Sequence, residues 1–402
     1  MAIAWSVRVN GVDITDDVIE ASFAMGRENI LDDYAANTCT ITVRNGTGAF
    51  NAGSYPISSL IFFTPNTASG KSRVFWLQTI EYRDEIDSDA STATIVGIDG
   101  YGRLGQFLMK PNPFYSGNYI ETGSIAQSDE YVTMAGLIYG YGGTGIVDMA
   151  GLIHPPEYSV GDSYVPVLGF VATGAEEELD GTRTLLDYIN ANNRTERGSF
   201  DVIANAFSGG KFWGLSRSKT TLQKIGVSIG NTSSSNSILW DEFSRVGLGG
   251  NYYNVASVSS PIVATQSATG SASAGTGIIQ LSVEARDRGT TQAADNASWI
   301  AQTLSAPGNI YATISFLDGI QNTTALATFL AFKGPVTGWL PVTYQDPGTG
   351  LESRDMKIEG IRVSIVPGAT RFVLSLSDMA NYSFFTLDDA DLGVLDSDRL
   401  AW

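Results

Sequence analysis

SRVFWLQTIEY (Ser72–Tyr82) and SRDMKIEGIRV (Ser353–Val363) align without a gap. Ser-Arg opens both, Leu77 falls on Ile358, and Ile80 falls on Ile361. Each stretch is followed by a turn and a second alternating strand, TATIVGID (Thr92–Asp99) and RFVLSLSD (Arg371–Asp378). Duplication of a β unit produces such a match, and so does coincidence in a strand-rich chain. Duplication makes the sharper prediction: the two stretches occupy equivalent strands, with Leu77 over Ile358 and Ile80 over Ile361.

The same alternation runs outward from the first copy. WSVRVNG sets Trp5, Val7 and Val9 against Ser6, Arg8 and Asn10, and Asn10-Gly11 is a hairpin turn. VIEASFAMGR follows, then TCTITVRNGTG, with Cys39, Ile41 and Val43 on one face and a turn at Asn45-Gly46. RVFWLQTIEYRDE and ATIVGIDGYG pair across an acidic tip, Asp84–Asp89. Alternating strands at this spacing predict a sandwich or barrel.

Residues 106–180 are rich in Gly, Tyr and Pro and read as loops with short strands. From there the pattern changes. Thr182 is placed to cap a helix with Leu185, Leu186 and Ile189 on one stripe. The strands SFDVIANAF and KFWGLSR follow, split by Ser208-Gly209-Gly210, which makes a small α+β unit. Residues 256–277 are biased to Ser, Thr, Ala and Gly and read as a flexible loop or linker. Next come a helix over Thr291–Leu304 with Ala294, Ala297, Ile300 and Leu304 in register, the strand NIYATISFL, the short helix TALATFLAF, and the strands GWLPVTYQ, RDMKIEGIRVSI and TRFVLSLSD. The fold class expected is mainly β with minor α: two tandem antiparallel β-barrels or sandwiches plus a small α+β domain. The expected units are 1–105, 106–180, 181–245, 246–380 and 381–402.

Composition narrows the function. In 402 residues, 43% are hydrophobic and only 16% charged, against about 25% charged in ordinary soluble domains. With 44 glycines this favours short strands and turns. The net charge of −18 speaks against gripping nucleic acid, which needs clustered Lys and Arg. No apolar run reaches the ~18 residues of a membrane span. The start, Met1–Trp5, has no basic segment leading into a long apolar one, so synthesis and folding in the cytoplasm are expected.

Chemistry is hard to find. One histidine, His154, rules out a zinc site built on two or three histidines and would have to serve as base in any Ser-His-Asp triad. The single cysteine, Cys39, lies mid-strand with no basic neighbour to lower its pKa, so a small buried apolar role is expected over a thiol pair with His154. Glu176-Glu177-Glu178 reads as a solvated run before a helix, although paired carboxylates stay open with 42 acids present. YGYGGTG lacks the Gly-Lys-Ser/Thr ending of a phosphate loop. Asp389, Asp391 and Gly393 have calcium-loop spacing without its far ligand. No catalytic, cofactor or metal residue is assigned.

Several patches, in order, resemble a known family. The opening VRVNGVDITDDVIEASFAMGRENILDDYAANTCTITVRNGTGAF is similar to the start of baseplate hub and minor tail proteins of tailed bacteriophages. The matching positions are Gly11-Val12-Asp13-Ile14-Thr15, Gly26-Arg27, Asp32-Asp33 and Cys39–Asn45. RTLLDYINANNRTERGSFDVIANAFSGGKFWGLSR resembles the small α/β segment of such hubs, and DMKIEGIRVSIVPGATRFVLSLSDM their last strands. The ending FTLDDADLGVLDSDRLAW (Phe385–Trp402) resembles a recurring tail-protein terminus. Residues 106–180 match nothing in the family.

The resemblance implies two tail-tube-like barrels per chain, and three chains building a ring that mates a sixfold tube to a threefold tip at the tail end of the virion. Its implied partners are further copies of itself (a homotrimer), the tail tube or a distal tail protein, a tape measure protein, and a central tip or fibre protein. Genomic DNA would pass without specific binding, past an inner wall carrying the acidic excess. No cofactor is implied. The terminal segment would dock through Leu392, Val394, Leu395, Leu400 and Trp402, on a neighbouring copy or on its own barrel. A carbohydrate-binding tail adhesin, with exposed aromatics along a groove, is the alternative. A peptidoglycan hydrolase, with close carboxylates or a Cys39–His154 contact, is the more distant one.

Overall fold

The computed structural model describes residues 5–106 and 223–379 apart from short breaks, and parts of 157–215 between them. The first half holds β1 (Trp5–Val9), β2 (Val12–Asp13), β3 (Val18–Gly26), β4 (Thr38–Arg44), β5 (Leu60–Pro65), β6 (Arg73–Arg83) and β7 (Thr92–Ile98). The middle holds β8 (Glu157–Tyr158), β9 (Val167–Gly169), β10 (Glu176–Glu178), β11 (Ser199–Asn205) and β12 (Gly209–Leu215). The second half starts with β13 (Gln223–Lys224), β14 (Ser228–Gly230), β15 (Ser237–Leu239) and β16 (Glu242–Val246). It ends with β20 (Tyr311–Leu317), β21 (Gly338–Asp346), β22 (Gly350–Val366) and β23 (Ala369–Asp378). Between these lie β17 (Val255–Ser260), β18 (Val263–Thr269) and β19 (Gln280–Glu284). The chain is mainly β with minor α, as its alternation predicts.

Alternation makes these strands because one face is buried. Cys39, Ile41 and Val43 of β4 point inward with no exposed surface, while their neighbours face out. The first turn is equally local: Asn10 and Gly11 both take positive φ, which lets Val9 pair with Val12 across two residues. Phe23 packs against Trp5 at 5.5 Å, Phe63 at 4.8 Å and Phe75 at 5.7 Å. The second half has a matching cluster, with Phe316 stacked on Phe372 at 4.9 Å and Phe329 edge-on to both. Trp5 lies 6.4 Å from Phe372, so the two aromatic clusters belong to one core. Each such ring contributes about 1.5–3 kcal/mol through burial.

The two copies of the repeat occupy equivalent strands, in the same register. Leu60 pairs with Trp76 and Phe63 with Arg73 in β5–β6; Trp339 pairs with Lys357 and Val342 with Arg354 in β21–β22. On the other side Leu77 pairs with Gly97 and Ile80 with Ile95, while Ile358 pairs with Leu376 and Ile361 with Leu374. Even the irregularity repeats. A bulge falls between Leu77 and Thr79 in the first half and between Ile358 and Gly360 in the second, which places Gln78 and Glu359 at one position. The sheet path β3-β4-β7-β6-β5 recurs as β16-β20-β23-β22-β21. The halves part company at the next strand, where β1 runs antiparallel to β5 but β13 and β14 run parallel to β21.

Two closed barrels are not what forms. The C-terminal part of β22 leaves β21 behind and pairs with β3 of the first half, Gly360↔Gly26 through Ile365↔Ala21. The halves thus merge into one 15-stranded sheet, and among the described residues no pairing closes either half on itself. The cause is the length of β22, whose 17 residues outrun the nine of β21.

Four local expectations are corrected. Residues 256–277 do not read as a linker, since β17 and β18 form a hairpin within that stretch, with β19 parallel to β17. The small side chains there are close packing: a Cβ on Gly270 would sit 2.2 Å from the carbonyl oxygen of Ala301 in the overlying helix Thr290–Leu304. In that helix Ala293 is buried and Ala294 only partly so. The cap near residue 182 is Thr184, whose Oγ1 accepts from the Asp187 N–H at 3.2 Å while the Asp187 carboxylate accepts from the Thr184 N–H at 2.7 Å. Glu176–Glu178 is a strand, β10, parallel to β9. The hairpin β11–β12 forms as expected, and β8 joins it in parallel.

Candidate functional site: the joint between the halves

The joint is built from the bulge upward. At the bulge the β22 backbone shifts register by one residue, and every residue from Met356 to Ile361 is buried. Both faces of the strand are covered there, so Lys357 and Glu359, two apart, are enclosed. Neither side chain has exposed surface. The Glu359 carboxylate is the hub of the contacts. It accepts from Arg27 Nε at 2.9 Å, from Lys357 Nζ at 2.9 Å and from the Ser377 hydroxyl. The Arg27 N–H also donates to the Glu359 carbonyl at 2.8 Å. Arg27 stands just past Gly26, whose φ of +83° turns the chain out of β3 and aims the guanidinium back across the seam.

The contacts continue outward. The Arg27 guanidinium lies 4.8 Å from the centre of the Tyr34 ring, and Tyr34 is 5.1 Å from Tyr101. The Tyr34 N–H donates to Asn190 Oδ1 at 3.0 Å, and Asn190 Nδ2 donates to the Tyr34 carbonyl at 2.8 Å. Arg194 binds both oxygens of Asp33 at 3.0 and 2.8 Å. The middle segment is therefore tied to the loop that leaves the joint.

Burial pulls the Lys357 ammonium down to about 8, against the Glu359 carboxylate, which favours its charge. Between about 8 and the ordinary value of 10.5 the unfolded chain holds a proton that the folded chain has lost, so stability rises with pH in that window. Burial pushes the Tyr311 phenol up, so its contribution falls once pH passes its ordinary value of 10.0. Measured by urea unfolding, the wild type should gain on Lys357→Met between about pH 8 and 10, by up to ~1.4 kcal/mol per pH unit. A difference that does not change with pH would show that Lys357 is hydrated.

The residues singled out in the sequence fall as follows. Cys39 is free and buried, and burial pushes its thiol up to about 12, so it supplies no thiolate. His154, Asp389, Asp391, Gly393 and the docking residues Leu392, Val394, Leu395, Leu400 and Trp402 lie outside the described residues. Among the described residues no group of three His, Cys, Asp or Glu is placed to hold a metal, and no helix is long and apolar enough to cross a membrane. The positions that carried the family resemblance have physical work. Asp13 Oδ1 accepts from the Thr15 hydroxyl at 2.6 Å, and Thr15 Oγ1 accepts from the Val7 N–H at 2.9 Å. Gly26 and Arg27 form the seam, and Asp33 holds Arg194. Sequence reasoning missed Lys357, Glu359 and Ser377. No local signal set them apart, since the same strand also carries Glu352, Arg354, Asp355 and Arg362.

A long chain whose two register-matched halves are joined edge to edge, with a buried charge cluster at the seam, shares its fold with prophage tail proteins. It is similar to the 43 kDa tail protein of prophage MuSo2 from Shewanella oneidensis, at 12% identity over 95% of this chain and 98% of that one, with a TM-score of 0.56. It is similar to the tail protein from Neisseria meningitidis MC58, at 11% identity over the same shares, with a TM-score of 0.59. At these identities the likeness is one of fold. No family model matches the chain, and no curated protein matches it.

Proposed function

We propose that this chain is a structural protein of the virion, a hub at the tail tip that joins the tail tube to the tip. It acts as a homotrimer around a central channel for DNA, and it has no enzymatic activity. The observation that carries the reading is the edge-to-edge junction of two equivalent β units within one chain. A chain of this kind contributes two equivalent positions per copy, so three copies present six to a sixfold tube while keeping threefold symmetry for a tip. Its partners would be a tube or distal tail protein on one side, a central tip or fibre protein on the other, and a tape measure protein in the channel. The net charge of −18 suits a channel wall that DNA must pass without adhering. Leu392, Val394, Leu395, Leu400 and Trp402 are the proposed docking residues of the terminal segment.

Electron-microscope images of the purified chain test this. A threefold ring with a central hole is expected, together with no cell-wall hydrolysis. Removal of residues 385–402 is expected to weaken the ring more than the fold of the monomer. A chain that stays monomeric at all accessible concentrations, or that cleaves peptidoglycan, would overturn the reading.

A further inference from the structure

The internal equivalence leaves one half of a joint unmade. Within the chain, the C-terminal part of β22 pairs with β3. The position equivalent to β22 in the first half is β6, and the strand equivalent to β3 in the second half is β16. The second identity follows from register: Ala21 pairs with Ile41, which pairs with Ile95, while Phe243 pairs with Ile314, which pairs with Leu374. Ile95 and Leu374 are already equivalent through Ile80 and Ile361. Yet β6 and β16 do not meet.

Among the described residues neither has a hydrogen-bonded strand partner on the side where β22 and β3 are joined. Among the described residues β5 pairs with β6 only as far as Trp76, so Thr79–Arg83 bonds β7 alone. Among the described residues strand β16 pairs with β20 alone. Tyr82 and Val246, one on each edge, are both large apolar side chains left exposed. Open edges that show apolar groups recruit another strand.

We propose that the C-terminal part of β6 pairs antiparallel with β16 of a second copy of this chain, repeating between molecules the seam that β22 and β3 make within one. Carrying the register of that seam across sets Glu81 opposite Val246, Tyr82 opposite Arg245 and Arg83 opposite Ser244. Tyr82 shares its face with Ile80, and Arg245 shares its face with Phe243, so the ring comes beside the Arg245 guanidinium, which already lies 4.9 Å over Tyr344. On the other face Arg83 lies diagonal to Glu242, an opposite charge. Two different surfaces of the chain are used, so the contact is head to tail and each copy offers one of each. The pairing starts at Val246, where β16 ends, and Thr79 lies outside it. In the internal seam the equivalent position is Gly360, pressed directly against Arg27. The inference deepens the proposed ring by assigning its contact.

Full-length chain carrying Glu81→Cys and Val246→Cys, oxidised with diamide, tests it. Cys39 is buried and stays silent. Expected is a ladder of covalent multimers on a non-reducing gel, with little from Glu81→Cys combined with Ser244→Cys, two residues out of register and beyond disulfide reach. Val246→Glu should weaken association about threefold to tenfold, and adding Glu81→Lys should restore it. Multimers in light scattering without the ladder would overturn this contact and leave the hub reading standing. A monomer that yields no ladder would overturn both.

Discussion

Glu359→Gln is expected to lower the free energy of unfolding by about 3–5 kcal/mol, the loss that follows when one member of a buried ion cluster is removed. Glu359 has no exposed surface and takes one ion pair from each side of the seam: Arg27 from the first half, Lys357 from its own strand. Without the carboxylate charge the two cations face each other in a space closed to water. Lys357 has an escape, because its pKa is already down at about 8 and it can shed its proton. Arg27 has none, since a guanidinium stays charged at any pH a protein survives. The penalty therefore falls on Arg27, which sits 332 residues away in the chain and holds the first half to the second. Chemical denaturation followed by tryptophan fluorescence measures it. A loss below about 1 kcal/mol would mean that water reaches the cluster.

The first half shows what the same position looks like without the cluster. Trp76 stands where Lys357 does, and Gln78 where Glu359 does. Gln78 is half-buried, donates to the Leu77 carbonyl at 3.2 Å and accepts from Gln106 at 2.8 Å. A neutral amide and an indole are enough where none of the chain's own described strands crosses. The charges appear only where one half is joined to the other. The register of the seam, Gly360 on Gly26, is the one that brings Arg27 to the Glu359 carboxylate.

Much of this was legible in the chain. The strands were, because one buried face forces alternation, and Cys39, Ile41 and Val43 show it without exception. The duplicated unit was also legible: Leu77, Ile358 and Ile361 are core positions and Ile80 packs against the core, on both sides of the same bulge. The joint was not. Lys357 and Glu359 read as the solvent face of an alternating strand, and their burial depends on a partner, Arg27, that no local pattern identifies. The stretch after residue 256 misled for another reason. Small residues signal flexibility when nothing covers them and close packing when a helix does, and composition alone does not say which. The helix cap at Thr184 could have been read correctly, since Asp187 stands three residues after Thr184 and completes a capping box.

Gly360→Ala is expected to open the same seam from the backbone side, at a cost in the upper part of the ~1–3 kcal/mol range for overpacking or beyond it. Gly360 pairs with Gly26 at the first step of β22 onto β3. A Cβ built there lies 2.4 Å from the carbonyl oxygen of Arg27 and 3.2 Å from that of Met25. Both obstacles are main chain, so no rotamer change relieves them, and the end of β3 must retreat from β22. The retreat lengthens the 2.8 Å bond from the Arg27 N–H to the Glu359 carbonyl and draws the guanidinium from its carboxylate. One methyl group thus acts on the ladder and the ion cluster together. Combining Gly360→Ala with Glu359→Gln should then cost less than the two separate losses added, because both spend the same interaction. Thr79→Ala, at the equivalent exposed position of β6, is the control and should shift stability by no more than about 0.5 kcal/mol. Strict additivity of the double variant would mean that the glycine and the glutamate act at separate places, and that the seam is held by the strands without the charges.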